Sequence, residues 1–283
     1  MAMDERGLGK RLQEARLRAG LTQQQLCHKA NLSFSTLTKI ERGAIKSPSI
    51  FTIQSIASAL DLSLDDLIGH NQGETGRQLK ETKTGVSFVY FDVNGCLVYF
   101  YQRAFDKLAL ISGAHLEAVE SAFWHYNDQA CKGEISLDDF NAKLAERLGM
   151  DKLRWQDYYI ENVEPIKEMQ ELLVWTAKQY KVGLLTNIMP GLIGSMRRNG
   201  QLPNINYDAV IDSSAVGAIK PEINIYKEAV KQAGVSPESI LLIDDDRINL
   251  MAAERLGWHV MWFDDSHPAD SVERARQALE PSS

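Results

Sequence analysis

Several apolar runs in this 283-residue sequence end in polar residues whose types suit a charged reaction centre. VSFVYF (86–91) is followed by Asp92, VGLL (182–185) by Thr186-Asn187, and ILLI (240–243) by Asp244-Asp245-Asp246. Lys220-Pro221 lies between the last two. If the runs are neighbouring strands, carboxylates, a hydroxyl and a lysine converge at one edge. Clustered carboxylates repel unless a cation sits among them. Magnesium is the hard-oxygen cation expected there, and it favours phosphate substrates. Any one strand-end Asp taken singly reads better as a helix cap; the whole set together is hard to explain that way.

The elements that must position these residues follow from hydrophobic patterning. With AVI (209–211) and HVMWF (259–263), the runs form near-continuous apolar segments, which suit strands buried on both faces. Helical patterns separate them, for example Ile166, Met169, Leu172, Leu173 and Thr176. This βαβ rhythm is that of an open parallel sheet, whose ligands bind beyond the carboxyl ends of the strands. Pro221 is expected at the first position of the helix after Lys220.

The N-terminal part has no strand candidate. Leu8, Leu12, Ala15 and Ala19 share a helical face, which Gly20 closes. Thr22 and Gln25 form a capping-box pair for a second helix with Leu26, Cys27 and Ala30 inside. Asn31-Leu32 makes a tight connection, and Ser33 caps a third helix that buries Leu37 and Ile40. Ile50, Ile53, Ala57 and Leu60 stripe a fourth, and Ser63–Asp66 opens a short fifth. Short helices joined in this way predict an all-α helix-turn-helix bundle. Arg6, Lys10, Arg11, Arg16 and Arg18 suit either phosphate contact or a solvated face.

Between the two parts, residues 69–85 hold four glycines and one large apolar residue, Leu79, and read as a linker. The expected organisation is a helix-turn-helix domain over 1–69, a linker over 70–85 and an α/β domain over 86–283. The formal net charge of −7 argues against nucleic acid only if it is spread evenly. It is not: residues 1–70 carry +2, 71–85 carry +1 and 86–283 carry −10. No stretch reaches the ~18 apolar residues of a membrane span, and the N-terminus lacks the apolar region of a signal peptide. Three irregularly spaced cysteines form neither a disulfide framework nor a metal pattern. A cytoplasmic protein is the simplest expectation.

Two family resemblances add to this reading. LTQQQLCHKANLSFSTLTKIERG (21–43) resembles the Cro/phage-repressor (Xre) type of helix-turn-helix, with Asn31 where that family usually has Gly. The resemblance implies a homodimer on double-stranded DNA. Gln23 would touch phosphate, and Ser33, Phe34, Ser35, Thr38 and Lys39 would stand at the start of the reading helix. FDVNGCL (91–97), LLTN (184–187), Lys220-Pro221-Glu222 and LLIDDDRIN (241–249) together resemble the haloacid dehalogenase (HAD) superfamily of phosphohydrolases. That implies a Rossmannoid parallel sheet with a helical cap over about 98–165, in which Trp124, Tyr126, Trp155 and Tyr158 fill the cap core. Asp92 would be the nucleophile, Thr186 would bind phosphoryl oxygens and Lys220 would steady the transferring charge. Asn187 and Gly95 would contact substrate. Asp92, Asp244, Asp245 and the backbone carbonyl of Asn94 would hold Mg2+.

One position departs from that pattern. The family's general acid/base is an Asp two residues after the nucleophile, and here it is Asn94. An amide neither gives nor takes that proton, and such help is typically worth about 10²–10⁴ in rate. Three outcomes stay open: hydrolysis of phosphates whose leaving groups need no proton, binding without turnover, and phosphorylation of Asp92 that then stalls. Two functions stay open with them. One is a transcription regulator that binds a phosphorylated small molecule; the other is a magnesium phosphohydrolase whose helix-turn-helix serves assembly or localisation.

Overall fold

The computed structural model describes residues 5–19, 21–45, 47–60, 62, 64 and 79–280. The chain divides into two compact units, Met1–Gly76 and Arg77–Ser283. Gly20, linker residues 69–78 and nearly all of the short helix expected at Ser63–Asp66 lie outside the described residues.

The first unit contains α1 (Glu5–Arg18), α2 (Gln23–Ala30), α3 (Phe34–Glu41) and α4 (Ile50–Ala59). Local chemistry sets the starts of three of them. The Thr22 hydroxyl accepts the Gln25 N–H at 3.2 Å while Gln25 Oε1 accepts the Thr22 N–H at 2.8 Å, closing the capping box. Ser33 and Ser49 cap α3 and α4 by accepting N–H groups three residues on. Asn31 takes the left-handed conformation (φ +51°) that turns α2 toward α3, one of the few non-glycine residues suited to it. Leu12, Leu26, Leu37, Ile40, Ile53 and Ile56 form the core. A Cβ on Gly9 would sit 2.3 Å from the Ile40 carbonyl oxygen, so only glycine lets α1 pass this close to the end of α3.

Two expectations for this unit need correction. Ile50 is 54% exposed, and the buried stripe of α4 runs through Ile53, Ile56 and Ala57 to Leu60. Arg16 lies on neither a solvated nor a phosphate-facing surface. It is buried, with Nε 2.7 Å from Glu41 Oε1 and Nη2 3.1 Å from Oε2, and its Nη1 donates to the Leu21 carbonyl.

In the second unit, β1 (Phe88–Phe91), β2 (Lys181–Thr186), β3 (Ala209–Asp212), β4 (Ile240–Asp244) and β5 (His259–Trp262) form one parallel sheet in the order β3-β2-β1-β4-β5. Alternate strand residues face opposite sides. Val89, Phe91, Val182, Leu184, Leu241 and Ile243 pack on one side with α9 (Lys167–Ala177), α10 (Leu192–Arg198) and α14 (Pro268–Ala278). Phe88, Tyr90, Leu185, Ile240 and Leu242 pack on the other with α12 (Ile223–Ala233) and α13 (Arg247–Arg255). A short helix, α11 (Ser213–Val216), follows β3. Burial on both faces is what makes these strands continuous apolar runs.

The helical insertion after β1 is α5 (Gln102–Ser112), α6 (Leu116–Cys131), α7 (Leu137–Arg147) and α8 (Trp155–Asn162). Its two connections to the sheet unit run side by side: Tyr99 N–H donates to the Glu164 carbonyl at 2.8 Å and Ile166 N–H to the Leu97 carbonyl at 3.0 Å. Trp155 is fully buried in this cap beside Phe105 and Phe123. Tyr126 and Tyr158 are half-buried. Trp124 leaves the expected core altogether: it is 43% exposed and stacks on the equally open Phe100.

Two boundaries also shift. Residues 80–85 are folded onto the second unit rather than linking to it. Thr82 is buried, its hydroxyl accepts the Val86 N–H at 3.0 Å, and the Lys80 N–H donates to the Gln179 carbonyl. Helix α12 starts at Ile223, not at Pro221; the Lys220–Pro221 peptide is cis and Glu222 occupies the N-cap position.

Candidate active site and nucleic-acid interface

Because β1 lies between β2 and β4, their carboxyl ends deliver the polar residues to one place. Asp92 follows β1, Thr186 ends β2, Asp244 ends β4 and Asp245 follows it. Carboxylate oxygens of Asp92, Asp244 and Asp245 lie within 4.8 Å of one another. Lys220 reaches in from the turn before α12, with Nζ 2.8 Å from Asp92 Oδ1 and 2.5 Å from Asp244 Oδ2. Asp244 Oδ1 also accepts the Asp246 N–H at 2.8 Å and the Asn249 amide at 3.2 Å. Asp246 stays outside the cluster, exposed, and caps α13 through Ile248 N–H.

Three carboxylates around one ammonium leave an excess of negative charge in a buried place, and the protonation equilibria respond. Burial, aided by Asp244 and only partly opposed by Lys220, pushes Asp92 up to about 6. Burial together with Asp92 and Asp244 pushes Asp245 up to about 8. Burial alone would lower Lys220, but Asp244 and Asp92 outweigh it and raise the lysine, so it stays charged.

Two further features mark this edge. The Thr186 hydroxyl is fully buried and has no hydrogen-bond partner among the described residues. Gly95 holds φ +90°, and a Cβ there would lie 2.2 Å from Asp245 Oδ2, so the turn after Asp92 closes directly onto that carboxylate. Asn187 ties the lysine loop down: its Nδ2 donates to the Lys220 carbonyl at 2.9 Å and its Oδ1 accepts the Lys220 N–H at 2.7 Å. Asn94 is buried, with Oδ1 accepting the Tyr159 hydroxyl at 2.5 Å and Nδ2 reaching the Asn187 carbonyl at 3.5 Å.

In the first unit, Phe34, Ser35 and Lys39 are exposed along α3. Ser33 is occupied as the cap, its hydroxyl also within reach of the Ser35 and Thr36 hydroxyls. Thr38 is half-buried. The Gln23 amide donates to Glu41 Oε2 at 2.7 Å, joining the Arg16–Glu41 pair, so the side chain expected at phosphate is partly engaged inside the unit.

Comparison with known proteins decides the family. The family described as haloacid dehalogenase-like hydrolase matches residues 100–263, more than half of the chain. The chain belongs to the haloacid dehalogenase-like hydrolase family. A helix-turn-helix family matches residues 12–67, so a repressor-like domain is fused to the hydrolase domain. The hydrolase part resembles Phosphatase MT3486 of Mycobacterium tuberculosis, 29% identical over 179 residues, covering 56% of this chain and 79% of that protein. The N-terminal part is 40% identical over 62 residues to the immunity repressor protein of Bacillus phage phi105, covering 22% of this chain and 42% of the repressor. Among solved structures, a HAD family enzyme from Bacteroides thetaiotaomicron superposes with TM-score 0.58 at 20% identity, over 67% of this chain and 99% of that one. Another structure of that enzyme, in complex with magnesium and inorganic phosphate, superposes with TM-score 0.52 at 19% identity, over 64% and 96%. At such identity the likeness is one of fold.

In this HAD-like unit, sequence reasoning missed two contacts. Asn249 holds both oxygens of Asp244; it stands within the LLIDDDRIN segment, and its place in the first turns of α13 was the available signal. Tyr159 reaches Asn94 from the cap, and nothing in the sequence pairs residues 65 positions apart.

Proposed function

We propose that this chain is a DNA-binding transcription regulator whose HAD-like unit binds a phosphorylated small molecule with magnesium and turns it over slowly at most. The observation that carries this reading is Asn94, an amide held between Tyr159 and Asn187 where an acid/base would serve turnover. Lys220, Thr186 and the carboxylates at the same sheet edge support the phosphate-binding part of the reading. The cluster also suits the metal: three hard oxygen donors with an excess of negative charge match a divalent cation. Asp92, Asp244, Asp245 and the Asn94 carbonyl would hold it, and when bound it would neutralise phosphoryl charge. Lys220 supports the same charge from the other side, and the free Thr186 hydroxyl offers a donor to a phosphoryl oxygen.

Support for the DNA role comes from the exposed start of α3 and from the repressor-like match. Lys39 is placed for a phosphate or a guanine edge, Ser35 for a base edge, and Phe34 for a thymine methyl or a sugar. Such modules read twofold sites as homodimers, and we assign the protein to the cytoplasm, where its DNA would be. Among the described residues no helix is long and apolar enough to cross a membrane.

The test has two arms. DNA binding by the purified chain at low salt, selected from random duplexes, is expected, and its affinity should change with magnesium and inorganic phosphate. A phosphate-ester panel on wild type, Asp92→Asn and Asn94→Asp should show turnover chiefly in Asn94→Asp. Rapid wild-type turnover with no DNA binding at any salt concentration would replace the regulator with an enzyme.

A further inference from the structure

Two large aromatic side chains at the cap stay open to solvent and stand together. Phe100 and Trp124 are 42% and 43% exposed, with ring centroids 5.7 Å apart and planes at 14°. A lone exposed hydrophobic residue is ordinary. A stacked pair is less so, because each ring gives up part of the roughly 150–250 Å² it could bury in a core. The pair lies where the insertion leaves the sheet unit. Gly95, closed against Asp245, donates its N–H to the Val98 carbonyl at 2.8 Å. Phe100 follows Val98 by two residues, at most about 7 Å of chain. Tyr101 ties the pair to the site: its ring centroid is 4.4 Å from that of Phe100, 6.0 Å from Trp124 and 5.4 Å from Tyr159, whose hydroxyl holds Asn94.

Tyr101 supplies an independent sign of a ligand. The residue is 8% exposed, and its hydroxyl has no hydrogen-bond partner among the described residues. Burial, then Tyr159, Cys131, Asp92 and Asp245, raise this hydroxyl well above its ordinary value, so it stays protonated and is a donor. A donor left unpaired in such a place is costly, and an oxygen on a ligand would remove that cost.

We infer that Phe100, Trp124 and Tyr101 form a second subsite, which takes the organic part of the phosphorylated ligand and selects one that carries a planar aromatic ring. This rests on the phosphate-binding reading above. With the phosphate at the sheet edge, the ring extends the Phe100–Trp124 stack in an offset or edge-on arrangement, and Tyr101 donates to an oxygen near the ester bond. The three side chains carry no charge, so selection is by shape and stacking. A nucleobase and a simple aryl group share that chemistry.

The experiment titrates the full chain with magnesium and, in turn, inorganic phosphate, glycerol phosphate, phenyl phosphate and adenosine monophosphate, by calorimetry. Wild type should bind at least one of the two ring esters about fivefold or more tighter than glycerol phosphate, the low end of stacking on an aromatic side chain. Adenosine monophosphate bound tighter than phenyl phosphate assigns the subsite to a nucleobase, and the reverse assigns it to an aryl group; either supports the inference. Phe100→Leu with Trp124→Leu should erase the preference and leave inorganic phosphate unaffected. Tyr101→Phe should weaken the esters about two- to tenfold, the weight of one hydrogen bond, and also leave inorganic phosphate unaffected. Melting temperatures show that each variant is folded, and if the double variant is not, the Tyr101→Phe titrations decide. Inorganic phosphate bound, with ring esters no tighter than glycerol phosphate, overturns the inference and leaves the phosphate-binding reading standing. No binding of any of the four removes both. A ring preference that survives the double replacement, or ester affinities that Tyr101→Phe leaves unchanged, overturns this subsite.

Discussion

Replacing Thr186 with valine should separate stability from ligand binding. The Thr186 hydroxyl is fully buried at the end of β2 and meets no hydrogen-bond partner among the described residues. Mutational data put the burial of such a group at about 1–3 kcal/mol. Valine keeps the branched shape and the β-propensity of the site, so the ligand-free variant should be more stable by roughly that amount. For a unit of about 200 residues, each kcal/mol moves the melting temperature by roughly 2–4 °C, which predicts a rise of about 2–12 °C. With ligand the order should reverse in effect: a ligand at 100 times its Kd adds about 2.7 kcal/mol to wild type, and the variant should lose most of that gain. Differential scanning calorimetry of both proteins, with and without magnesium and inorganic phosphate, measures all four states. A ligand-free Thr186→Val protein that melts lower than wild type would mean the hydroxyl has a partner after all. An undiminished ligand shift would mean that Thr186 does not face the phosphoryl group.

Three further outcomes are expected. Glu41→Ala strands the buried Arg16 guanidinium and should cost the first unit about 3–5 kcal/mol, whereas the apolar pair Arg16→Met with Glu41→Leu should come close to wild type; chemical denaturation of the three proteins checks this. Asp92 and Asp245 have native pKa values above their ordinary ones, so the native state binds more protons than the unfolded chain, and the contribution of this cluster to stability falls as pH rises through about 6 to 8. The melting temperature without magnesium should therefore drop between about pH 5 and pH 8, and the gain from magnesium should be larger at the upper end, both read by scanning fluorimetry. Lys39→Ala should weaken DNA binding about equally across sequences and lower the salt slope by about 1 if the lysine meets phosphate, or relax specificity at one base if it meets guanine, as a titration across salt concentrations would distinguish.

The sheet was legible because burial on both faces writes itself as runs such as ILLI and VSFVYF, and because a parallel sheet presents the residue after each run at one edge. That is why Asp92, Thr186 and Asp244 could be placed together before any coordinates. The caps at Thr22 and Ser33 were legible for a similar reason, since the signal and its partner lie three residues apart. What escaped was set by distant packing. Arg16 looked like one basic residue among five, and only its meeting with Glu41, 25 positions on, buries it. Ile50 fits the helical period of α4 yet faces outward, because the periodic stripe does not say where the face begins. Trp124 belongs to a helix that buries Val119, Ala122 and Phe123, one residue round from the core. Tyr159 could be found only by docking the cap over the sheet edge.

Net charge, by contrast, was a poor guide to function, and the two units explain why. The −7 of the chain is a sum over parts that serve different chemistry: +2 over residues 1–70 and −10 over residues 86–283. A charge influences a polyanion only within about one Debye length, roughly 8–10 Å at physiological salt, so a whole-chain average does not describe the charge around any one group of residues. Part of the acidity also never faces solvent. Asp92 and Asp244 are buried against Lys220, and Asp245 packs over Gly95. Their repulsion is local to the sheet edge, where it favours a cation. The same carboxylates that make the chain look unsuited to nucleic acid belong to the sheet edge proposed above to meet a metal and a phosphate, while Lys39, Ser35 and Phe34 stay exposed on α3 for the proposed contact with DNA.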